Sequence, residues 1–127
     1  MLGLVIVTHV GIGRELHRAV EEILKEKVSM KVVEVENDRS TALSQDRIAE
    51  AVHGFKDQEG VLILTDIFGA TPTNLCKNLL DQGRVAVVTG VNLPMVLKAA
   101  TSHFEKNAAE AAEFLKHYGS DSIRTYP

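Results

Sequence analysis

The chain carries a single cysteine, Cys76, no tryptophan and only three prolines in 127 residues. One cysteine cannot close an intramolecular disulfide or assemble a cysteine-rich zinc site. That suits a reducing compartment, and a cytoplasmic location is expected. A surplus of one charge is also missing: 14 Lys+Arg stand against 17 Asp+Glu, a formal net charge of -3. Such a balance creates no field that would hold nucleic acid or an anionic membrane, so any phosphate chemistry must come from a local site. Proteins or small molecules are the expected partners. No apolar run approaches the ~18 residues that would span a bilayer, so direct membrane insertion is not expected. The apolar opening, residues 1–7, is short for a secretory signal, lacks a basic start, and leads into Thr8-His9 instead of a small-residue cleavage site. Aromatic residues make up 5% of the chain, which leaves the core to Leu, Ile, Val and Ala. At this length one domain spanning 1–127 is expected, able to bury roughly two-thirds of its unfolded surface without disulfides or metals.

Short β-branched apolar runs are present at 4–7, 61–64 and 85–88, with a more alternating run at 31–35. Continuous runs of this kind suit strands covered on both faces, as in a parallel sheet. Helical spacing separates them. Leu16, Val20, Ile23 and Leu24 repeat in 14–27; Leu43, Ile48, Ala51, Val52 and Phe55 in 41–56; Leu75, Leu79 and Leu80 in 72–82. Strand and helix in alternation imply right-handed crossovers and an open, doubly wound α/β sheet, mainly parallel. Thr71-Pro72 and Asn92-Leu93-Pro94 place a capping side chain at or just before a proline suited to a first helical turn. Asn107 with Glu110 resembles a capping box for a last helix reaching about His117. Beyond it, residues 122–126 are expected to form a short C-terminal edge strand.

Ligands of an open α/β sheet bind outside the carboxyl ends of its strands. The loops to inspect therefore begin at Thr8-His9, at Thr65-Asp66 and at Thr89-Gly90. They bring one imidazole, one carboxylate, several hydroxyls and helix N-termini that favour an anion. A neutral imidazole is a nucleophile at one nitrogen while the other donates, and a carboxylate fixes that tautomer. His9 and Asp66 fit those two roles, and such a pair beside helix N-termini suggests phosphoryl transfer, with backbone amides such as that of Gly11 on the phosphoryl oxygens. The plainer alternative is a histidine that caps a strand or is hydrogen-bonded in the core.

Gly11-Ile12-Gly13 lacks the third small residue of a dinucleotide fingerprint, since Leu16 stands where it is required. A phosphate-binding P-loop and a hydrolase nucleophile elbow are absent from the sequence. His17 and His53 fall on expected helices, and His103 and His117 near helix C-termini, all places suited to surface or capping roles. Cys76 reads as a small buried hydrophobe. Nothing in the sequence calls for a metal or other cofactor.

Three segments carry a resemblance: Leu-Val-Ile-Val-Thr-His-Val-Gly; Gly-Val-Leu-Ile-Leu-Thr-Asp-Ile-Phe-Gly-Ala-Thr-Pro-Thr-Asn; and Val-Thr-Gly-Val-Asn-Leu-Pro-Met. In this order they resemble the enzyme IIA component of the mannose family of the bacterial sugar phosphotransferase system. The resemblance implies a flavodoxin-like sheet, a cytoplasmic homodimer, and a histidine phosphorylated by the phosphocarrier HPr and emptied by a IIB protein. His9 matches that histidine, used through Nε2, and Asp66 the carboxylate beside it. Thr71 falls where the family has a Ser or Thr near the phosphoryl group. Phe68, Asn92 and Leu93 lie on loops around His9, where HPr and IIB would dock; a Phe68 buried against its helix is the alternative. A C-terminal edge strand serves dimer formation in the family, so 122–126 are expected to pair or swap across a twofold axis. No IIB extension is found in the 127 residues, so IIB is expected as a separate chain. A regulatory module whose phosphorylation state controls a partner uses the same histidine and is the competing function. The phosphocarrier subunit of the dihydroxyacetone kinase system is a third reading, and the Phe-Gly-Ala-Thr-Pro-Thr-Asn and Asn-Leu-Pro-Met segments argue against it.

Overall fold

The computed structural model describes residues 1–36, 41–67, 71–76, 79–80 and 83–127, with only the backbone at 41 and 71–73. Among these residues four strands, β1 (Leu2–His9), β2 (Lys31–Val35), β3 (Gly60–Thr65) and β4 (Val85–Val88), form one sheet in the order β2-β1-β3-β4. Every pairing is parallel. Among the described residues five α-helices accompany them: α1 (Ile12–Leu24), α2 (Thr41–His53), α3 (Thr71–Cys76), α4 (Leu93–Thr101) and α5 (Ala108–Asp121).

The uninterrupted apolar character of β1 and β3 follows from burial on both faces. Successive side chains alternate between two cores. Leu4 and Ile6 of β1 and Leu62 and Leu64 of β3 meet Val20 of α1, Met95 and Val96 of α4, and Ala111 and Leu115 of α5 on one face. Val5, Val7, Val61 and Ile63 meet Ile48 and Ala51 of α2 and Leu75 and Cys76 of α3 on the other. The sheet is thus doubly wound. In α1 the apolar stripe is narrower than spacing suggests: Leu16, Val20 and Leu24 pack on the core, whereas Ile23 is exposed. Residues four apart stay on one line of a helix, and Ile23 falls beside it. Leu43 on α2 is likewise exposed.

Gly13, in the first turn of α1, sits against the sheet. A Cβ there would lie 2.9 Å from Thr8 Oγ1 and from Val32 Cγ1. Replacing a helical glycine by alanine ordinarily stabilises by about 0.5–1 kcal/mol. At this position the added methyl group would push α1 off β1 and β2, so Gly13→Ala is expected to destabilise by about 1–3 kcal/mol. Urea denaturation reads the sign directly.

The C-terminal segment corrects the expectation of an edge strand at 122–126. Helix α5 runs past His117 to Asp121, and the residues that follow form no strand. Ile123 and Tyr126 are 74% and 90% exposed. A strand exists only against a partner edge, and this segment pairs with neither edge of the sheet. Of the expected helix at 72–82, α3 covers the start, and residues 77, 78, 81 and 82 lie outside the described residues.

Candidate functional site

The strand order reverses between β1 and β3: from β1 the chain moves to β2 on one side, then crosses to β3 on the other. Helices leaving in opposite directions open a crevice at the carboxyl ends of these two strands. Val7 pairs with Thr65 in register. His9, two residues on, and Asp66, one residue on, therefore arrive at the crevice together.

Their contact is close. Asp66 Oδ2 accepts the backbone N–H of His9 at 2.9 Å and lies 2.8 Å from His9 Nδ1, while Asp66 Oδ1 accepts the N–H of Ile67 at 2.9 Å. The imidazole is 30% exposed and the carboxylate 8%. Burial raises the pKa of the Asp66 carboxyl, but the His9 backbone N–H, the His9 ring and the Ile67 N–H together outweigh it and hold the pKa below the usual carboxylate range. An ionised carboxylate only accepts, so in the neutral imidazole Nδ1 carries the proton and Nε2 keeps its lone pair. Among the described residues Nε2 has no hydrogen-bond partner. The arrangement presents an oriented nitrogen nucleophile whose developing positive charge lies against a buried anion.

The turn after His9 is built by a residue that the motif reading passed over. Gly11, at φ 93°, lies in the left-handed region that glycine occupies without strain, and it begins α1 without a capping side chain of its own. Instead Glu34 of β2 reaches across: its Oε2 accepts the N–H of Gly11 at 3.0 Å and that of Arg14 at 3.1 Å. Thr8 Oγ1 accepts the N–H of Gly13 at 2.8 Å. Thr8 and Glu34 are partners in the β1/β2 register, so both serve the same helix start. Gly11, expected to offer its N–H to phosphate, thus gives it to Glu34, because a carboxylate on the adjacent strand already fills the positive end of α1. The signal in the sequence was a lone charge within the Val-Val-Glu-Val run of β2.

Asn92 is engaged internally. Its Oδ1 accepts the Met95 N–H at 3.0 Å, capping α4, and its Nδ2 donates to the Gly119 carbonyl at 3.0 Å, joining α4 to α5. Leu93 is half-buried against the core. Asn92→Ala is expected to cost about 1–2 kcal/mol through the lost cap and the unpaired carbonyl. Chemical denaturation measures this; a residue that served only docking would leave stability unchanged and weaken partner binding. Phe68 and the Thr71 side chain lie outside the described residues. Val10 and Ile12, just after His9, and Ile67, just after Asp66, are exposed aliphatic residues. These residues were not singled out from sequence, where apolar residues next to strand ends look like continuations of the core.

Other candidates take structural roles. His17 Nε2 lies 3.1 Å from the Val28 carbonyl and 3.3 Å from Glu21 Oε2. Cys76 is fully buried, and burial pushes its thiol up to about 12, so it is not poised as a thiolate. Among the described residues no group of three or more His, Cys, Asp or Glu could hold a metal ion, and no helix is long and apolar enough to cross a membrane.

A parallel α/β sheet with a carboxylate-oriented histidine at its switch point defines a class of site suited to transferring a small group through nitrogen. Residues 3–116 match the model of the EIIA-man family, described as the PTS system fructose IIA component, and the chain belongs to that family of phosphotransferase components. Among its relatives is YadI of Escherichia coli (strain K12), named for a phosphotransferase enzyme IIA component. The two are 27% identical over 124 residues, which is 97% of this chain and 85% of that protein. The fold is shared with the mannose/sorbose specific IIA subunit of the phosphotransferase system from Enterococcus faecalis, at TM-score 0.88 and 24% identity, covering 99% of this chain and 95% of that one. It is also shared with a sigma-54 interaction domain protein from Enterococcus faecalis, at TM-score 0.75 and 14% identity, covering 94% of this chain and 91% of that one.

Proposed function

We propose that the protein is a cytoplasmic phosphoryl carrier of a sugar phosphotransferase system: His9 takes phosphate from phospho-HPr and passes it to a separate IIB protein. The observation that carries this reading is the 2.8 Å contact between His9 Nδ1 and Asp66, which leaves Nε2 as the nucleophile at the mouth of the crevice. In the uptake step Nε2 attacks phosphorus in line with the donor bond. The Nε2–P bond forms, the bond to the donor breaks, and its electron pair stays with the donor group. The proton on Nδ1 remains there, and Asp66 offsets the positive charge that the ring acquires. Release to IIB is the same exchange with the acceptor as nucleophile. Thr71 is assigned a hydroxyl contact to the phosphoryl group on the strength of its place in the family motif.

Exposed Val10 and Ile12 after His9 and exposed Ile67 after Asp66 support docking of donor and acceptor on one surface, and Phe68 and Leu93 are assigned to docking on the strength of their place in the family motifs. One surface serving both partners makes them compete, which fits a carrier that releases one before meeting the other. A homodimer that pairs the exposed Ile123 and Tyr126 across a twofold axis belongs to the same reading.

A regulatory role is the second reading, and the fold shared with a sigma-54 interaction domain protein favours it. The two separate on a chase experiment. The protein is first labelled with phosphoenolpyruvate, enzyme I and HPr, then mixed with candidate IIB proteins. Loss of label to a IIB protein within the mixing time supports the carrier. Label that stays on the protein with every IIB offered, with no IIC or IID transporter genes beside its own, favours regulation.

A further inference from the structure

Glu34 belongs to none of the motif segments, yet it contacts both ends of the turn that follows His9. The free N–H groups and dipole at a helix start ordinarily stabilise an anion placed there. At α1 three of these donors are already taken: Gly11 and Arg14 by Glu34 Oε2, and Gly13 by Thr8 Oγ1. The anion at the helix start is therefore the protein's own. Arg47 of α2 donates to the Glu34 backbone carbonyl at 3.1 Å, which anchors the main chain and leaves the carboxylate to α1.

We infer that Glu34 is a positioning residue that keeps the phosphoryl group on His9 transferable, by filling the anion place at the start of α1. The inference rests on the phosphoryl-carrier reading. With three of these donors occupied, a phosphoryl group on Nε2 gains less from the start of α1 and meets a like charge next to its own turn. The phospho-form is thereby kept from becoming a trap. A carrier gains nothing overall by holding phosphate tightly, because each factor gained in uptake equilibrium is lost in release.

The test is the equilibrium constant for phosphoryl exchange with phospho-HPr, measured for the native protein, Glu34→Gln and Glu34→Asp. Gln keeps an acceptor of the same reach and removes the charge. The equilibrium is expected to shift about fivefold toward the phospho-protein, the order of magnitude of a charge interaction between partly screened groups. Asp keeps the charge with a shorter reach, and its equilibrium is expected to stay within about twofold of native even if the melting temperature falls. The reverse pattern, with Gln native-like and Asp perturbed, would show that Glu34 only shapes the turn and would overturn the inference. An unchanged equilibrium in both variants overturns it as well. Native protein that takes no phosphate from phospho-HPr rejects the carrier reading itself, and the inference with it.

Discussion

His9→Ala is expected to bring phosphate uptake from phospho-HPr to background. The other histidines are poor substitutes by position: His17 of α1 is held by Val28 and Glu21, and His53 ends α2 just before Gly54 and Phe55, which lie against Lys31 and Gly3 at the amino ends of β2 and β1, away from the crevice. The variant should still fold. The ring is partly exposed, and Asp66 keeps the backbone N–H bonds of residue 9 and of Ile67 when the ring is removed. An unchanged circular dichroism spectrum together with absent label is the expected pair of results. Uptake at the native rate would mean that another residue carries the phosphate.

Asp66→Asn has the second largest expected effect, and its reason lies in the hydrogen-bond inventory. Native Oδ2 receives both the His9 N–H and the Nδ1 proton, and Oδ1 receives the Ile67 N–H. An asparagine has one acceptor oxygen to offer where the site needs two. If its oxygen faces His9, its NH2 group meets the Ile67 N–H, donor against donor. If its NH2 group faces His9, it favours the tautomer with the proton on Nε2, and the nucleophile is lost. In either orientation the anion that balances the phosphorylated ring is gone. The rate of uptake is expected to fall by about 10²–10⁴-fold, the range seen when an orienting carboxylate or a general base is removed. Rapid-quench measurement of labelled protein resolves this, and a rate within a factor of about three of native would contradict the orienting role.

The strands, the two-sided burial and the meeting of His9 with Asp66 could be read from the sequence for one physical reason. A parallel sheet buries whole apolar runs, and its topology carries the residue after each run to the same edge. The Asn92 and Asn107 caps could be read for a local reason, since a capping bond spans three residues. What escaped depends on contacts distant in sequence. Glu34 meets Gly11 across 23 residues, and in β2 it resembles the solvent face of an alternating strand. The bond from Asn92 to Gly119 crosses 27 residues and becomes visible only when α5 packs on α4. Residues 122–126 have β-branched and aromatic residues suited to an edge strand (Ile123, Thr125, Tyr126), but pairing needs a second edge, and composition says nothing about which edge is free. The loss of Gly11 as a phosphate donor follows from Glu34: the dipole argument held for α1, and its occupant was already in the chain.

The most direct test of the account is the identity of the phosphorylated atom. Protein labelled with nitrogen-15 in its histidine rings would be charged with phosphoenolpyruvate, enzyme I and HPr. The acid-labile phosphate would be assigned to a residue by mass spectrometry and to a ring nitrogen by phosphorus–nitrogen coupling. The His9–Asp66 geometry predicts a single phosphohistidine at His9 with phosphorus on Nε2. Phosphorus on Nδ1, or on any other residue, would contradict it.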